Sequence, residues 1–157
     1  MSTENSPKQV WELIEDIRIS LLITKNGDNL DARPMSAIAR REEGQIYILA
    51  NSNEDSHRQI KSDDRVIVSF QMGATYVVVH GTAHPSTDRA KIKELWSIFD
   101  QAWWDGPEDP RIILISIQPD SAEYWESPGK LITYSDMILS AVTGKKPKAG
   151  EHGQVSM

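Results

Sequence analysis

Between Ile19 and Ala50, three short apolar runs follow one another with only tight turns between them. Ile19-Ser20-Leu21-Leu22-Ile23-Thr24 reads as a buried strand, and Asn26-Gly27 as a turn whose two residues both tolerate positive φ. Ala32 to Arg40 alternates weakly as the returning strand, and Glu42-Glu43-Gly44 turns again. Gln45 to Ala50 then puts Ile46, Ile48 and Ala50 on one face. A parallel connection needs a crossover of a dozen or more residues, and neither turn has room for one. An antiparallel meander is therefore expected, and an all-parallel α/β fold is excluded.

The rest of the chain fits that start. Lys8 to Arg18 carries Val10, Leu13, Ile14 and Ile17 at helical spacing, with Ser6 as N-cap and Pro7 at the first helical position. Asn53 to Ser56 opens a short helix through Ile60. Arg65 to Gln71 and Thr75 to Ala83 are strands around Gly73. Thr87 to Ala90 starts a second clear helix with Ile92, Leu95, Trp96 and Phe99 as its stripe. Trp103 to Pro110 reads as loop, because two prolines and a glycine forbid regular pairing. Ile112 to Ile117 and Ala122 to Trp125 read as separate strands around a Pro119-Asp120 turn, and Lys130 to Val142 is ambiguous between strand and helix. The expected architecture is mainly β: an antiparallel six- or seven-stranded barrel with flanking helices. Residues 1–143 form the domain, and 144–157, rich in Lys, Gly and Pro, a flexible C-terminal tail.

Composition narrows the function classes. Seventeen Lys and Arg against 23 Asp and Glu give a net charge of −6, which lacks the basic field that nucleic acid demands. No run approaches the roughly 20 apolar residues that span a bilayer. Residues 1–6 show neither the basic nor the apolar region of a secretory signal, and there is no cysteine, so a cytoplasmic location is expected. His80 and His84 sit on or just after a strand, about 13 Å apart at ~3.3 Å per residue, so they are not a helical metal pair. Four scattered histidines offer no zinc set. Dinucleotide, Walker and nucleophile-elbow motifs are all missing.

Three clusters remain as candidates. Arg33-Pro34-Met35-Ser36 places a guanidinium fork, suited to phosphate, beside a proline that belongs on an edge or at a bulge. A surface arginine at a strand start gives the same pattern. Asn51-Ser52-Asn53-Glu54-Asp55-Ser56-His57-Arg58 runs from a strand end into a helix start, where amides and Ser52, Ser56 and Arg58 suit an anion. A simple capped helix reads identically, and Glu54 and Asp55 oppose a phosphate unless they turn away. Trp103, Trp104 and Trp125 lie in a loop or at a strand end, placed either to cover a flat ligand or partner subunit or to pack in the core.

In order and spacing these pieces resemble the pyridoxamine 5′-phosphate oxidase-like FMN-binding split barrels, in their bacterial general stress protein branch. The matching pieces are Ala32-Arg33-Pro34-Met35, the Ser-x-x-x-Ser-x-Arg run at 52–58, Tyr76 to Gly81, and Ala102-Trp103-Trp104 with Gly106 to Arg111. Ala122-Glu123-Tyr124-Trp125 and Ala141 to Pro147 complete the match, which spans about residues 8–150. The resemblance implies a homodimer with two flavin sites at the interface, FMN as cofactor with FAD as the alternative, and NADH or NADPH as electron donor. It implies that Arg33 and Arg58 meet the flavin phosphate or its approach, and that Pro34, Met35 and Ser36 run along the isoalloxazine ring. Ser52 then ends a strand, Ser56 opens the phosphate helix, and Trp125 comes from the second subunit. Asn51, His57 and Trp104 complete the implied cofactor-binding set.

The true oxidases carry a second basic residue where this chain has His57, and an Arg-x-His pair where it has Lys130-Leu131-Ile132-Thr133. The vitamin's own phosphate is thus left without an anchor. The expected function is a flavin-dependent oxidoreductase of the general stress type. The alternatives are a non-catalytic flavin carrier or redox sensor, and, disfavoured, a true pyridoxamine 5′-phosphate oxidase. No catalytic residue is identified.

Overall fold

The computed structural model describes residues 6–126, 142–144 and 151–157. Helix α1 (Pro7–Glu15) starts where Ser6 accepts from the Gln9 amide at 3.4 Å, with Pro7 needing no partner. It buries Val10, Trp11 and Ile14. Seven strands follow: β1 (Ile19–Asn26), β2 (Asn29–Arg40), β3 (Gln45–Asn51), β4 (Arg65–Met72), β5 (Thr75–Ser86), β6 (Ile112–Glu126) and β7 (Glu151–Ser156). Helices α2 (Ser56–Ser62) and α3 (Arg89–Leu95) lie between β3 and β4 and after β5. The sheet order is β3-β2-β1-β4-β5-β6-β7, and β3 also pairs with β6, so six strands close into a barrel. Every pairing is antiparallel.

Two apolar clusters stabilise this ring. Leu22, Ile46, Ile48, Val68, Phe70, Val77, Val79, Ile115, Ile117 and Tyr124 fill the barrel, with α1 and Ile60 of α2 packed into the same core. Ile38, Tyr47, Leu49, Ile112 and Leu114 form a second core with Ile92, Leu95 and Trp104, which seats α3. Among the described residues no helix is long and apolar enough to cross a membrane.

Four expectations are corrected. The Pro119-Asp120 turn does not exist: β6 is one strand of 15 residues, and a register shift beside His80 and Gly81 absorbs the proline. On its other flank, β6 pairs with β3 up to Ile117 and with β7 from Ser121, so no ladder needs a Pro119 amide. The stripe ending at Phe99 breaks at Leu95. The Ser97 amide donates to Asp100 Oδ2 at 2.7 Å and restarts the chain as a 3-10 turn over Ile98–Ala102, leaving Phe99 exposed under the Arg18 guanidinium. The flexible tail expected over 144–157 does not hold for 151–156. Those residues are β7, with Val155 buried against the core, and a single apolar anchor escaped a composition-based reading. The early strands and β5 also run longer than their apolar runs, since β2 begins at Asn29 and β5 continues to Ser86. The ambiguous segment at 130–141 lies outside the described residues.

Gly81 marks the tightest approach in the barrel. A Cβ there would stand 2.6 Å from the Gln118 carbonyl oxygen, which is backbone and cannot swing away. Gly81→Ala is therefore expected to lower unfolding free energy by about 1–3 kcal/mol. The check is the urea midpoint at unchanged slope, and an unaltered midpoint would show that the two strands separate freely.

Candidate functional site

The barrel is split, and the split follows from hydrogen-bond parity. Ala37 donates its amide to Arg18 O at 2.8 Å, so residues 35, 33 and 31 of β2 bond β1. Residues 36, 34 and 32 therefore turn their backbone groups to the opposite side. β3 covers that side only from Arg40–Gln45 to Ala37–Ile48. Beyond Ile48, β3 continues with β6 alone, through Leu49–Leu114, Ala50–Ile113 and Asn51–Ile112. The two strands part at this point. Among the described residues no strand pairs with this side of β2 before Ala37, and Pro34 stands on that edge, where its missing N–H costs no ladder bond.

At the far end of the split the chain turns through Asn51 to Asp55 into α2. The Glu54 amide donates to Asn51 O at 3.0 Å, and the Ser52 amide to Arg111 O at 2.7 Å. Ser56 opens the helix and is completely buried. Among the described residues its Oγ and the Nδ1 of His57 are buried with no hydrogen-bond partner. Unsatisfied buried polar atoms on two consecutive residues are costly to desolvate, typically ~1–3 kcal/mol each.

Arg33 reaches the same helix from β2. Its guanidinium donates to Thr24 Oγ1 and Gln59 Oε1, both at 3.0 Å, with Asp31 Oδ2 at 3.9 Å. Gln59 donates to Asp31 Oδ2 at 2.7 Å, closing the cluster. Sequence reasoning missed Thr24, Asp31 and Gln59. Gln59 stands beside Arg58 in the helix, and a polar residue next to buried Ile60 was the available signal. Arg58 is exposed and paired with Asp55 one turn earlier. The two arginines thus flank the first two turns of α2 without sharing a partner.

The remaining candidates divide. Strand alternation sends Met35 against the main core, while Pro34 is exposed and Ser36 Oγ accepts from Arg18 Nε at 3.2 Å. The three offer a free backbone edge, not one side-chain surface. Trp104 is buried in the second core, 6.4 Å from the Trp96 ring, with no partner for its Nε1 among the described residues. Trp103 is exposed. Trp125 is 39% exposed near the end of β6. It lies eight residues past Ile117, the last partner of β3, or about 26 Å at ~3.3 Å per residue.

A cleft of about 450 Å³ is lined by Lys25, Asp63, Arg65, His80 and Asp120, and it shares Thr24 with the Arg33 cluster. Its cations are committed: Arg65 grips Asp63 at 2.7 Å, and Lys25 stands 3.8 Å from the same carboxylate. Hydrogen bonds from Arg65 hold the Asp63 carboxyl well below the usual range. No group of three metal-ligating side chains occurs among the described residues.

The loop behind the split is held by a similar pair. Asp109 accepts from Arg111 Nε at 3.0 Å, Nη2 at 2.7 Å and the Arg111 amide, which depresses its pKa. A depressed carboxylate contributes stability above its unfolded pKa, near 3.9, and loses it as pH falls through the folded value. Asp109→Asn is expected to lower stability at pH 7 and to flatten the acid limb of a urea-midpoint profile between pH 2 and 7. An unchanged limb would show that the pair is idle.

Comparison with known proteins agrees with this architecture. The candidate general stress protein 26 from Jannaschia sp. CCS1 superposes with a TM-score of 0.72 at 26% identity, covering 96% of this chain and 97% of that one. The general stress FMN/FAD binding protein of Xanthomonas citri gives 0.70 at 23% identity, covering 80% and 92%. Protein bli-3 of Neurospora crassa is 28% identical over 134 residues, covering 76% of this chain, which spans 64% of that protein's length. Residues 5–148 match the family described as pyridoxamine 5′-phosphate oxidase like, and the chain, a split β-barrel with its opening between β2 and β3, belongs to that family.

Proposed function

We propose that this chain binds a flavin, FMN in the first place, in the split between β2 and β3, and that it works as a flavin-dependent oxidoreductase. The observation that carries the reading is the completely buried, partnerless Ser56 Oγ beside His57 Nδ1 at the start of α2. The Ser56 hydroxyl, the imidazole in its Nδ1–H form, Arg33 and the exposed Arg58 suit a dianionic phosphate. The free β2 edge at residues 32–36 supplies backbone groups for the polar rim of a flat ring. The flavin, when bound, supplies the redox chemistry. The chain's residues would hold the phosphate, orient the ring and set its exposure.

The same reading includes a homodimer. Ile19, Leu21, Tyr76 and Trp125 are exposed apolar residues on the outer face of β1, β5 and β6. Polar Ser69 and Gln71 of β4 lie between the β1 pair and the β5–β6 pair, and exposed apolar side chains on both sides of them suit a partner surface. A second copy seated there would bring its own Trp125 to the split. Light scattering is expected to give twice 17.7 kDa, and a monomer would refute the dimer. The absence of cysteine suits the cytoplasm, and NADH or NADPH is the proposed electron donor. Pyridoxamine phosphate oxidation is not proposed, because Lys130-Leu131-Ile132-Thr133, outside the described residues, stand where the oxidases anchor that substrate.

Ser56→Ala separates a ligand role from a structural one. It removes an unsatisfied buried hydroxyl, so stability should hold or rise. FMN affinity, read by flavin fluorescence quenching, should fall about 10-fold or more, the worth of a hydrogen bond to a charged group. Unchanged affinity, or no binding by the wild type, would defeat the reading. Mixing the holoprotein with NADH or NADPH then tests the redox step. Rapid bleaching of the flavin band marks the oxidoreductase, and an unchanged spectrum marks a carrier.

A further inference from the structure

The C-terminal strand carries a feature that the flavin reading leaves unused. His152 of β7 is the cross-strand partner of Trp125 on β6. Their rings are stacked, with centroids 5.0 Å apart and planes 13° from parallel. His152 Nε2 also shares a 2.6 Å hydrogen bond with Glu123 Oε1, two residues back on the same face of β6. That bond is the leading cause of the depressed Glu123 pKa, with Gln154 of β7 and His80 of β5 contributing less. The imidazole is therefore held at its edge by a carboxylate and lies flat on the indole. β7 is itself anchored: Val155 is buried in the main core, and Met157 packs against it and donates its amide to Asp120 O at 3.0 Å. The family match ends at residue 148, before β7 begins.

We propose that His152 is a positioning residue that fixes the plane of Trp125, so that the indole meets the flavin of the partner protomer already oriented. The proposal rests on the reading of Trp125 as the cover of a flavin in the other protomer's split. An unrestrained tryptophan must be immobilised when the ring binds, and ordering one such side chain weakens binding about two- to tenfold. The stack removes that cost before the ligand arrives, and it leaves the ligand only the part of the indole that His152 does not cover.

Three substitutions separate the stack from the tether. His152→Phe keeps a flat ring and loses the hydrogen bond, His152→Gln keeps a donor for Glu123 and loses the stack, and His152→Ala loses both. FMN affinity is expected within twofold of wild type for His152→Phe and two- to tenfold weaker for the other two. In a Trp125→Phe background all three should be silent. The Trp125 emission of the ligand-free protein, isolated by subtracting the Trp125→Phe spectrum, should brighten in His152→Ala as the stacked imidazole is removed. Wild-type binding that does not respond to His152→Ala overturns the proposal alone. So do losses of affinity that simply follow the urea midpoints of the three variants. Absence of FMN binding by the wild type overturns the functional reading and this proposal together, while the emission change still reports the stack.

Discussion

Strand β3 is hydrogen-bonded on both edges as far as Ile48, and beyond it the β2 edge is lost while the β6 edge continues. The arrangement of the candidate site depends on that divergence. It leaves residues 32, 34 and 36 of β2, on the side away from β1, with no ladder partner among the described residues, which only an edge-tolerant sequence can occupy, and Pro34 suits it. It steers the end of β3 into the Asn51–Asp55 turn and so decides where α2 begins. The helix is short, but Ile60 is sunk in the main core and Gln59 is tied to Asp31, to Arg33 and, at 2.5 Å, to Thr24. Ser56 and His57 are thereby held at a fixed depth beside the opening.

Electrostatics points to the same place. In a chain of net charge −6, most cations near a concavity are already engaged by carboxylates. Arg65 and Lys25 serve Asp63, Arg111 serves Asp109, and Lys91 serves Glu43 and Glu94. Arg58 is tied to Asp55 at the surface, where such a pair contributes little and exchanges readily with another anion. Arg33 differs in kind. Its hydrogen bonds go to a hydroxyl and an amide oxygen, with its nearest carboxylate at the outer limit of an ion pair. Its charge is thus less neutralised than that of Arg58, which leaves it available to an anion despite the acidic whole.

The meander, the barrel and α1 were legible because periodicity, turn residues and caps act locally. The Arg33 and Ser52–Arg58 clusters were legible as residue types, and their convergence at one opening was not, because it depends on where β2 leaves β3. Long-range partners account for the misses. Gln59 looks like any helical surface residue until Thr24 and Arg33 are brought beside it. Trp104 reads as a loop indole with two possible uses until α3 docks on β3 and buries it. Pro119 reads as a turn because sequence alone does not show that both neighbours of β6 stop on either side of it. β7 was invisible to a composition argument, since one buried valine and a cross-strand histidine carry it.

The central claim is that the opening beside Ser56 is a phosphate site for a flavin. Titrating the protein with FMN and with riboflavin, which differ only by the phosphate, tests it most directly. The account predicts FMN binding at least 10-fold tighter than riboflavin, as expected when a charged group gains hydrogen bonds from buried donors. Equal affinities for the two, or binding of neither, would contradict it.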